Sequence, residues 1–319
     1  MRVAFAFPGQ GSQSIGMMAG YDAHPVVRAT FDEASAVLAQ DLWSLVTEGP
    51  EDELNRTVNT QPVMLTAGIA TWRAWHESGG ASPVLVAGHS LGEYTALVAA
   101  GALAFADALP LVRFRAQAMQ EAVPAGVGAM AALLGLDDDA VAAACKEATA
   151  ACPGQIVEPV NYNAPGQLVI AGHRGAVEHA IAAARSRGAK RAVLLPVSAP
   201  FHSSLLQPAA ERLRDRLAGI ELATPTIPVL HNVDVAEHPT ASGMRDALAR
   251  QAASPVRWAD TVRCMAEQGI THVVECGPGK VLSGLTRRIA PGLTGLSLGD
   301  GAALASVRAT LESARGGGS

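Results

Sequence analysis

The segment from Val84 to Tyr94 constrains this chain more than any other. Val84-Leu85-Val86-Ala87 is a short apolar run rich in β-branched residues, the composition of a parallel strand buried on both faces. Gly88-His89-Ser90-Leu91-Gly92 then makes a tight turn, and Glu93 to Ala100 continues as a helix. The glycines let the backbone bend beside the serine where a Cβ would clash. Such a turn lifts the serine hydroxyl above the sheet and aims the first helical amides at it, the geometry of a nucleophile elbow. A helix N-terminus also favours the negative charge of an oxyanion formed at Ser90. An ordinary Gly-Ser turn shares the short pattern. The buried strand before it and the helix after it favour the nucleophile.

Around this turn the chain alternates strand and helix. Arg2 to Phe7 reads as a strand ending in a Gly-rich turn, Pro25 to Gln40 and Gln61 to Glu77 as amphipathic helices, and Pro83 to Gly88 as the elbow strand. Phe105 to Val123 is helical. Such alternation predicts a parallel sheet covered on both faces. The rhythm then changes. Strands at 129–134, 156–162, 167–171 and 191–197 and helices at 137–149 and 175–187 give the order β-α-β-β-α-β of a ferredoxin-like unit. Asn163-Ala164-Pro165-Gly166 is the turn between its middle strands. The expected fold is therefore α/β: a hydrolase-like large domain with a parallel sheet, residues 1–124 and 198–315, carrying an inserted ferredoxin-like small subdomain, residues 125–197. The large domain resumes with a helix at 205–217, a strand at 228–232, a helix at 256–268, a strand at 272–275 and a helix after Lys280. Gly316 to Ser319 reads as a flexible tail.

Composition narrows the function classes. The 319 residues are 49% hydrophobic and 17% charged with net charge −5, a well-buried globule whose surface is not built for nucleic acid. No apolar run approaches the roughly 20 residues of a membrane helix, and no signal peptide is expected ahead of the first strand. The four cysteines, Cys145, Cys152, Cys264 and Cys276, match no metal-site spacing. Reduced thiols in the cytoplasm are the expectation.

Gly88-His89-Ser90-Leu91-Gly92-Glu93-Tyr94 closely resembles the active-site motif of malonyl-CoA:acyl carrier protein transacylases, relatives of the acyltransferase domains of fatty-acid and polyketide synthases. The resemblance runs from Phe7-Pro8-Gly9-Gln10-Gly11-Ser12-Gln13 through Asn59-Thr60-Gln61-Pro62, Arg115 to Glu121 and Asn161 to Gly166. It continues with Pro200-Phe201-His202-Ser203 and ends at Glu275-Cys276-Gly277-Pro278-Gly279-Lys280. It implies malonyl transfer from coenzyme A to the phosphopantetheine thiol of an acyl carrier protein, in fatty-acid or trans-acting polyketide biosynthesis. It implies no bound cofactor and no metal, because the phosphopantetheine belongs to the partner. A serine acyl hydrolase and a non-catalytic carrier-binding module are the alternatives on the same scaffold.

The resemblance also implies roles. A serine hydroxyl needs a base, and the residues alone leave that choice open among nine histidines. The family's base falls at His202, in a loop stiffened by Pro200. His89, adjacent to the serine, reads as a buried packing or hydrogen-bonding residue. The group orienting the base is a main-chain carbonyl at the position of Gln251, where the residues alone suggest only a helix end. Leu91 N–H and Gln10 N–H are the oxyanion donors. Arg115, on an otherwise apolar helix face, is expected to pair with the malonyl carboxylate, for which its planar fork of donors suits. Arg113, two residues away, reads as surface. Phe201 beside the base is expected to favour malonyl over methylmalonyl. Arg185, Arg187, Lys190 and Arg191 form either a solvated helix end or a docking patch for an acidic carrier.

Overall fold

The computed structural model describes residues 1–197 and 199–316. Strand β1 (Val3–Phe7) is followed by helices α1 (Pro25–Leu38), α2 (Leu42–Thr47), α3 (Glu51–Asn55) and α4 (Thr57–Glu77). Next come β2 (Leu85–Gly88), α5 (Gly92–Ala99) and α6 (Phe105–Glu121). The middle of the chain forms β3 (Gly128–Leu134), α7 (Asp138–Ala151), β4 (Val157–Ala164), β5 (Gln167–His173), α8 (Arg174–Ser186) and β6 (Arg191–Leu194). The remainder forms α9 (Gln207–Ala218), β7 (Val229–Leu230), α10 (Ala241–Gln251), α11 (Trp258–Glu267), β8 (His272–Glu275), α12 (Val281–Ile289), β9 (Thr294–Ser297) and α13 (Gly301–Gly316).

Two sheets result. One has the order β7-β2-β1-β8-β9, every neighbouring pair parallel. The other has the order β4-β5-β3-β6, every pair antiparallel, which is the ferredoxin-like arrangement. In β1 every residue is buried, so no polar alternation marks it. Its large residues Phe5 and Phe7 face a core shared with α1, α4 and α6, while the small Ala4 and Ala6 face a second core built from α11 and α12. The antiparallel sheet also uses both faces. Ala131, Leu133, Leu168 and Ile170 pack under α7 and α8, whereas Met130, Val169 and Ala171 join the large core. The small sheet is therefore docked on the large one through apolar side chains.

Several expectations shift. Helix α4 starts at Thr57 rather than Gln61, and Pro62 lies inside it. A proline reads as a helix start because it lacks an N–H, yet here the first turn forms ahead of it. The strand expected at 191–197 ends at Leu194, and the one expected at 228–232 shrinks to Val229–Leu230. Helices α2, α3 and α13 and strand β9 carry too little periodicity to be read in advance, while α10 ends at Gln251, where a helix end was expected. Gly316 ends α13 instead of opening a tail, and the rest of the expected tail lies outside the described residues.

Candidate active site

The carboxyl ends of β1, β2 and β7 meet at one edge of the parallel sheet, the edge where open α/β sheets hold ligands. Ser90 follows β2 and adopts φ +53°, a left-handed conformation rare for a residue with a side chain. Surrounding backbone enforces it. A Cβ on Gly88 would run into the backbone of Gly92, and one on Gly92 into the Phe7 carbonyl. Both glycines of the motif are therefore steric requirements. The Ser90 N–H donates to Asn232 Oδ1 at 2.7 Å, and the Ser90 carbonyl accepts from Gln251 Nε2 at 2.9 Å. The turn is pinned from both sides.

His202 lies between β6 and α9, is 3% exposed and also has positive φ, +66°. Its Nε2 lies 2.7 Å from Ser90 Oγ, and its Nδ1 2.8 Å from the Gln251 carbonyl oxygen. A carbonyl can only accept, so Nδ1 carries the proton and Nε2 is left to accept from the serine hydroxyl. Burial first, and the Arg115 charge second, push the imidazole down to about 3, so it stays neutral.

Arg115 on α6 is 1% exposed. Its Nη1 donates to Gln61 Oε1 at 2.9 Å, and its Nη2 donates to Gln251 Oε1 at 2.8 Å and to Ser90 Oγ at 3.1 Å. The guanidinium carbon sits 5.4 Å from the Tyr94 ring centroid. Every one of these acceptors is neutral. Arg115 is thus a buried cation beside a serine hydroxyl, with no anion bonded to it. Arg113 turns the other way and donates to Leu38 O and Gln40; it is half-buried, not the surface residue expected.

Gln251 does more than its expected carbonyl. Its side chain accepts from Arg115 and donates to Ser90 O and to Glu93 Oε2, the last at 2.9 Å. Glu93 and Asn232 were not read from the sequence. The fully buried Glu93 carboxylate accepts from His231 Nδ1 at 2.7 Å and from the Asn232 N–H at 2.9 Å. Asn232 Nδ2 donates to the Gly88 carbonyl at 2.7 Å. One carboxylate thus fixes both Asn232, which holds the Ser90 turn, and Gln251, whose carbonyl holds His202. The available signal was an acidic residue inside the elbow motif and the polar pair His231-Asn232 closing an apolar strand.

The other expected residues fall as follows. A Cβ on Gly9 would meet the His89 carbonyl oxygen at 2.5 Å, so the Gln10 turn lies against the elbow. Among the described residues neither the Gln10 nor the Leu91 backbone N–H has a recorded acceptor. His89 is half-buried and turns to Asn163 Oδ1 at 2.8 Å, the hydrogen-bonding residue expected, and not to Ser90 Oγ. Phe201 is 8% exposed and packs in the large core. On the small sheet Arg187 pairs with Glu147, while Arg185, Lys190 and Arg191 are exposed and pair with no acid among the described residues. No cluster of metal-ligating side chains and no helix long and apolar enough to cross a membrane occurs among the described residues.

The profile of the acyl transferase domain family matches residues 4–289. The chain belongs to this family. Among relatives of this acyl transferase domain, the malonyl CoA-acyl carrier protein transacylase of Salmonella typhimurium is 55% identical over 302 residues, 94% of this chain and 97% of that one. The acyl-carrier-protein S-malonyltransferase structure from Burkholderia pseudomallei superposes with TM-score 0.94 at 60% identity, covering 96% of this chain and 99% of the other. A malonyl-transacylase solved in complex with its type II PKS acyl-carrier protein superposes with TM-score 0.95 at 51% identity, covering 97% and 100%.

Proposed function

We propose that this acyl transferase domain moves malonyl from coenzyme A to the phosphopantetheine thiol of an acyl carrier protein through an ester on Ser90. The observation that carries the reading is the line Gln251 O, His202, Ser90 Oγ, with the anion-free Arg115 guanidinium at its end. Ser90 Oγ attacks the thioester carbonyl while His202 Nε2 takes its proton. The oxyanion is met by the N–H groups of Leu91 and Gln10. The C–S bond breaks, His202 returns the proton to the departing sulfur, and malonyl remains on Ser90. The carrier thiol then repeats the sequence in reverse, again with His202 as base. Arg115 pairs with the malonyl carboxylate through both steps. These steps use no metal and no bound cofactor.

The carrier partner is taken from the relative solved with its own acyl-carrier protein. We read residues 1–124 and 198–315 as the catalytic core and 125–197 as the insertion; the separate apolar cluster under α7 and α8 supports this division. Arg115 weighs against a hydrolase for uncharged acyl chains, since an uncharged chain would leave that buried cation unpaired. Incubation with malonyl-CoA alone tests the proposal. A stable adduct of malonyl mass on the Ser90 peptide, discharged only by added carrier protein, is expected. Rapid release of free malonate would mean a hydrolase, and no adduct would mean a non-catalytic module.

A further inference from the structure

We propose that the malonyl carboxylate triggers its own transfer, by drawing the Arg115 guanidinium off the Ser90 hydroxyl oxygen and leaving that oxygen free to attack. The proposal rests on the function read above and concerns what Arg115 does before substrate arrives.

A serine hydroxyl has one proton and two lone pairs. In this site the proton faces His202 Nε2 at 2.7 Å. Arg115 Nη2 donates onto a lone pair of the same oxygen from 3.1 Å. Arginine is a donor only, so this contact ties up one of the two lone pairs and draws electron density from an oxygen that must attack a carbonyl. The resting arrangement therefore holds the nucleophile with its proton accepted but its oxygen capped by a cation.

The cap is weakly held. All recorded acceptors of Arg115 are neutral, and its Nε is buried with no partner. A carboxylate offers charge-assisted, two-pronged bonding that a hydroxyl cannot match. In malonyl the carboxylate is one methylene from the thioester carbonyl. A guanidinium that reaches the attacking oxygen is therefore within reach of that carboxylate when the carbonyl is in place. As Arg115 changes partner, the lone pair on Oγ is released.

The same exchange helps the base. The charged and titratable groups around His202 are Arg115 and, more weakly, His89, both of which lower its affinity for a proton; the Gln251 and Ser254 main chain opposes them. Around Arg115 lie Glu93, Tyr94 and His202. Cancelling the Arg115 charge raises the basicity of His202 toward the operating range, where general-base catalysis is more effective. The Oγ–H proton then moves to Nε2, the O–C bond forms, the C–S bond breaks, and the departing thiol takes the proton. An acetyl group brings no carboxylate, so it meets a capped serine. Selection for charge then acts on reactivity as well as on binding.

The test divides the substrate in two. Acetyl and formate together trace the outline of malonyl less one bond. Acetylation of Ser90 is followed by intact mass at saturating acetyl-CoA while formate is titrated, with formamide and chloride as controls. We expect formate to raise the maximal acetylation rate about tenfold or more, a barrier change of the size one ionic contact can supply. Formamide and chloride should do nothing, and the gain should vanish in Arg115→Met. A flat or inhibitory formate response in the wild-type enzyme overturns the proposal, as does an equal gain in Arg115→Met. Loading of Ser90 by malonyl-CoA in the same preparation checks the function separately. If malonyl loads and formate has no effect, only the triggering role falls.

Discussion

The two sheets bend their backbones by different means. Within residues 125–197 every positive φ recorded belongs to glycine: Gly126, Gly135, Gly154, Gly166 and Gly188. At the carboxyl edge of the parallel sheet Gly11, Gly277 and Gly279 turn the same way, but positive φ also falls on Ser90, His202 and Val235, residues with side chains. Glycine adopts this conformation at no steric cost, whereas a side chain there costs of order 1–3 kcal/mol. The small sheet turns where turning is cheap. The parallel edge holds strained residues where their side chains are needed, and a buried hydrogen-bonded network from Glu93 through Asn232 and Gln251 keeps them there.

That contrast can be broken at either end. The largest effect is expected at Ser90: Ser90→Ala should abolish both the malonyl adduct and transfer to the carrier, scored by peptide mass. An adduct found on Ser12 or Ser203 instead would remove the elbow from the chemistry. Next comes His202→Ala, which should slow acylation by about 10²–10⁴-fold in a rapid-quench assay. His89→Ala should act through stability, and if it alone lost acylation the base would be misassigned. Arg115→Ala removes one side of the ion pair proposed with substrate, an expected loss of roughly 3–5 kcal/mol. Malonyl transfer should fall by roughly several hundred-fold or more, while acetyl transfer should change little or rise. Equal losses for the two thioesters would make Arg115 structural only.

Smaller effects sharpen the comparison. Phe201 precedes the base, and one methyl in an apolar pocket is worth about 1–3 kcal/mol, so malonyl should be preferred to methylmalonyl by about 10–200-fold. Competition between the two thioesters, scored by the mass of the loaded carrier, measures this. Phe201→Ser should relax it, and near-equal loading by the wild type would show that other residues shape the pocket. The smallest expected change lies in the small sheet. Gly166 has φ +71° with room for a Cβ, its nearest neighbour 3.8 Å away. Gly166→Ala should cost about 1–2 kcal/mol of stability in denaturant melts and leave the maximal rate unchanged. A loss of rate instead would mean that the small sheet tunes the chemistry directly.

The legible parts of this molecule share one property: their local sequence determines them. β8 was expected at His272–Glu275 and lies there, because an apolar run flanked by turns suffices. The βαββαβ order was readable because Asp137 caps α7 and Pro165-Gly166 mark the hairpin turn. β9 was missed because Gly295 interrupts the strand pattern, yet that glycine is where the Ser283 carbonyl of α12 presses on the sheet. In the site, the motif residues Ser90 and His202 stand within hydrogen-bonding distance, as the resemblance implied. The buried roles of Glu93, Asn232 and the Gln251 side chain were not legible. They depend on partners 136–161 positions away, which no local pattern encodes. The half-burial of Arg113 escapes the sequence for the same reason, since exposure is decided by neighbours from other elements.

The docking of the small sheet through Met130, Val169 and Ala171 has a consequence for the newly made chain. Ser90 follows β2, whereas His202 follows β6, the last strand of the docked sheet. The serine meets its base only after the two sheets have come together. A chain emerging from the ribosome, or one partly unravelled by heat, carries a hydroxyl with no partner to take its proton. With the roles proposed for Ser90 and His202, such a molecule is expected to be chemically silent toward thioesters, and maturity of the fold is itself the safety catch.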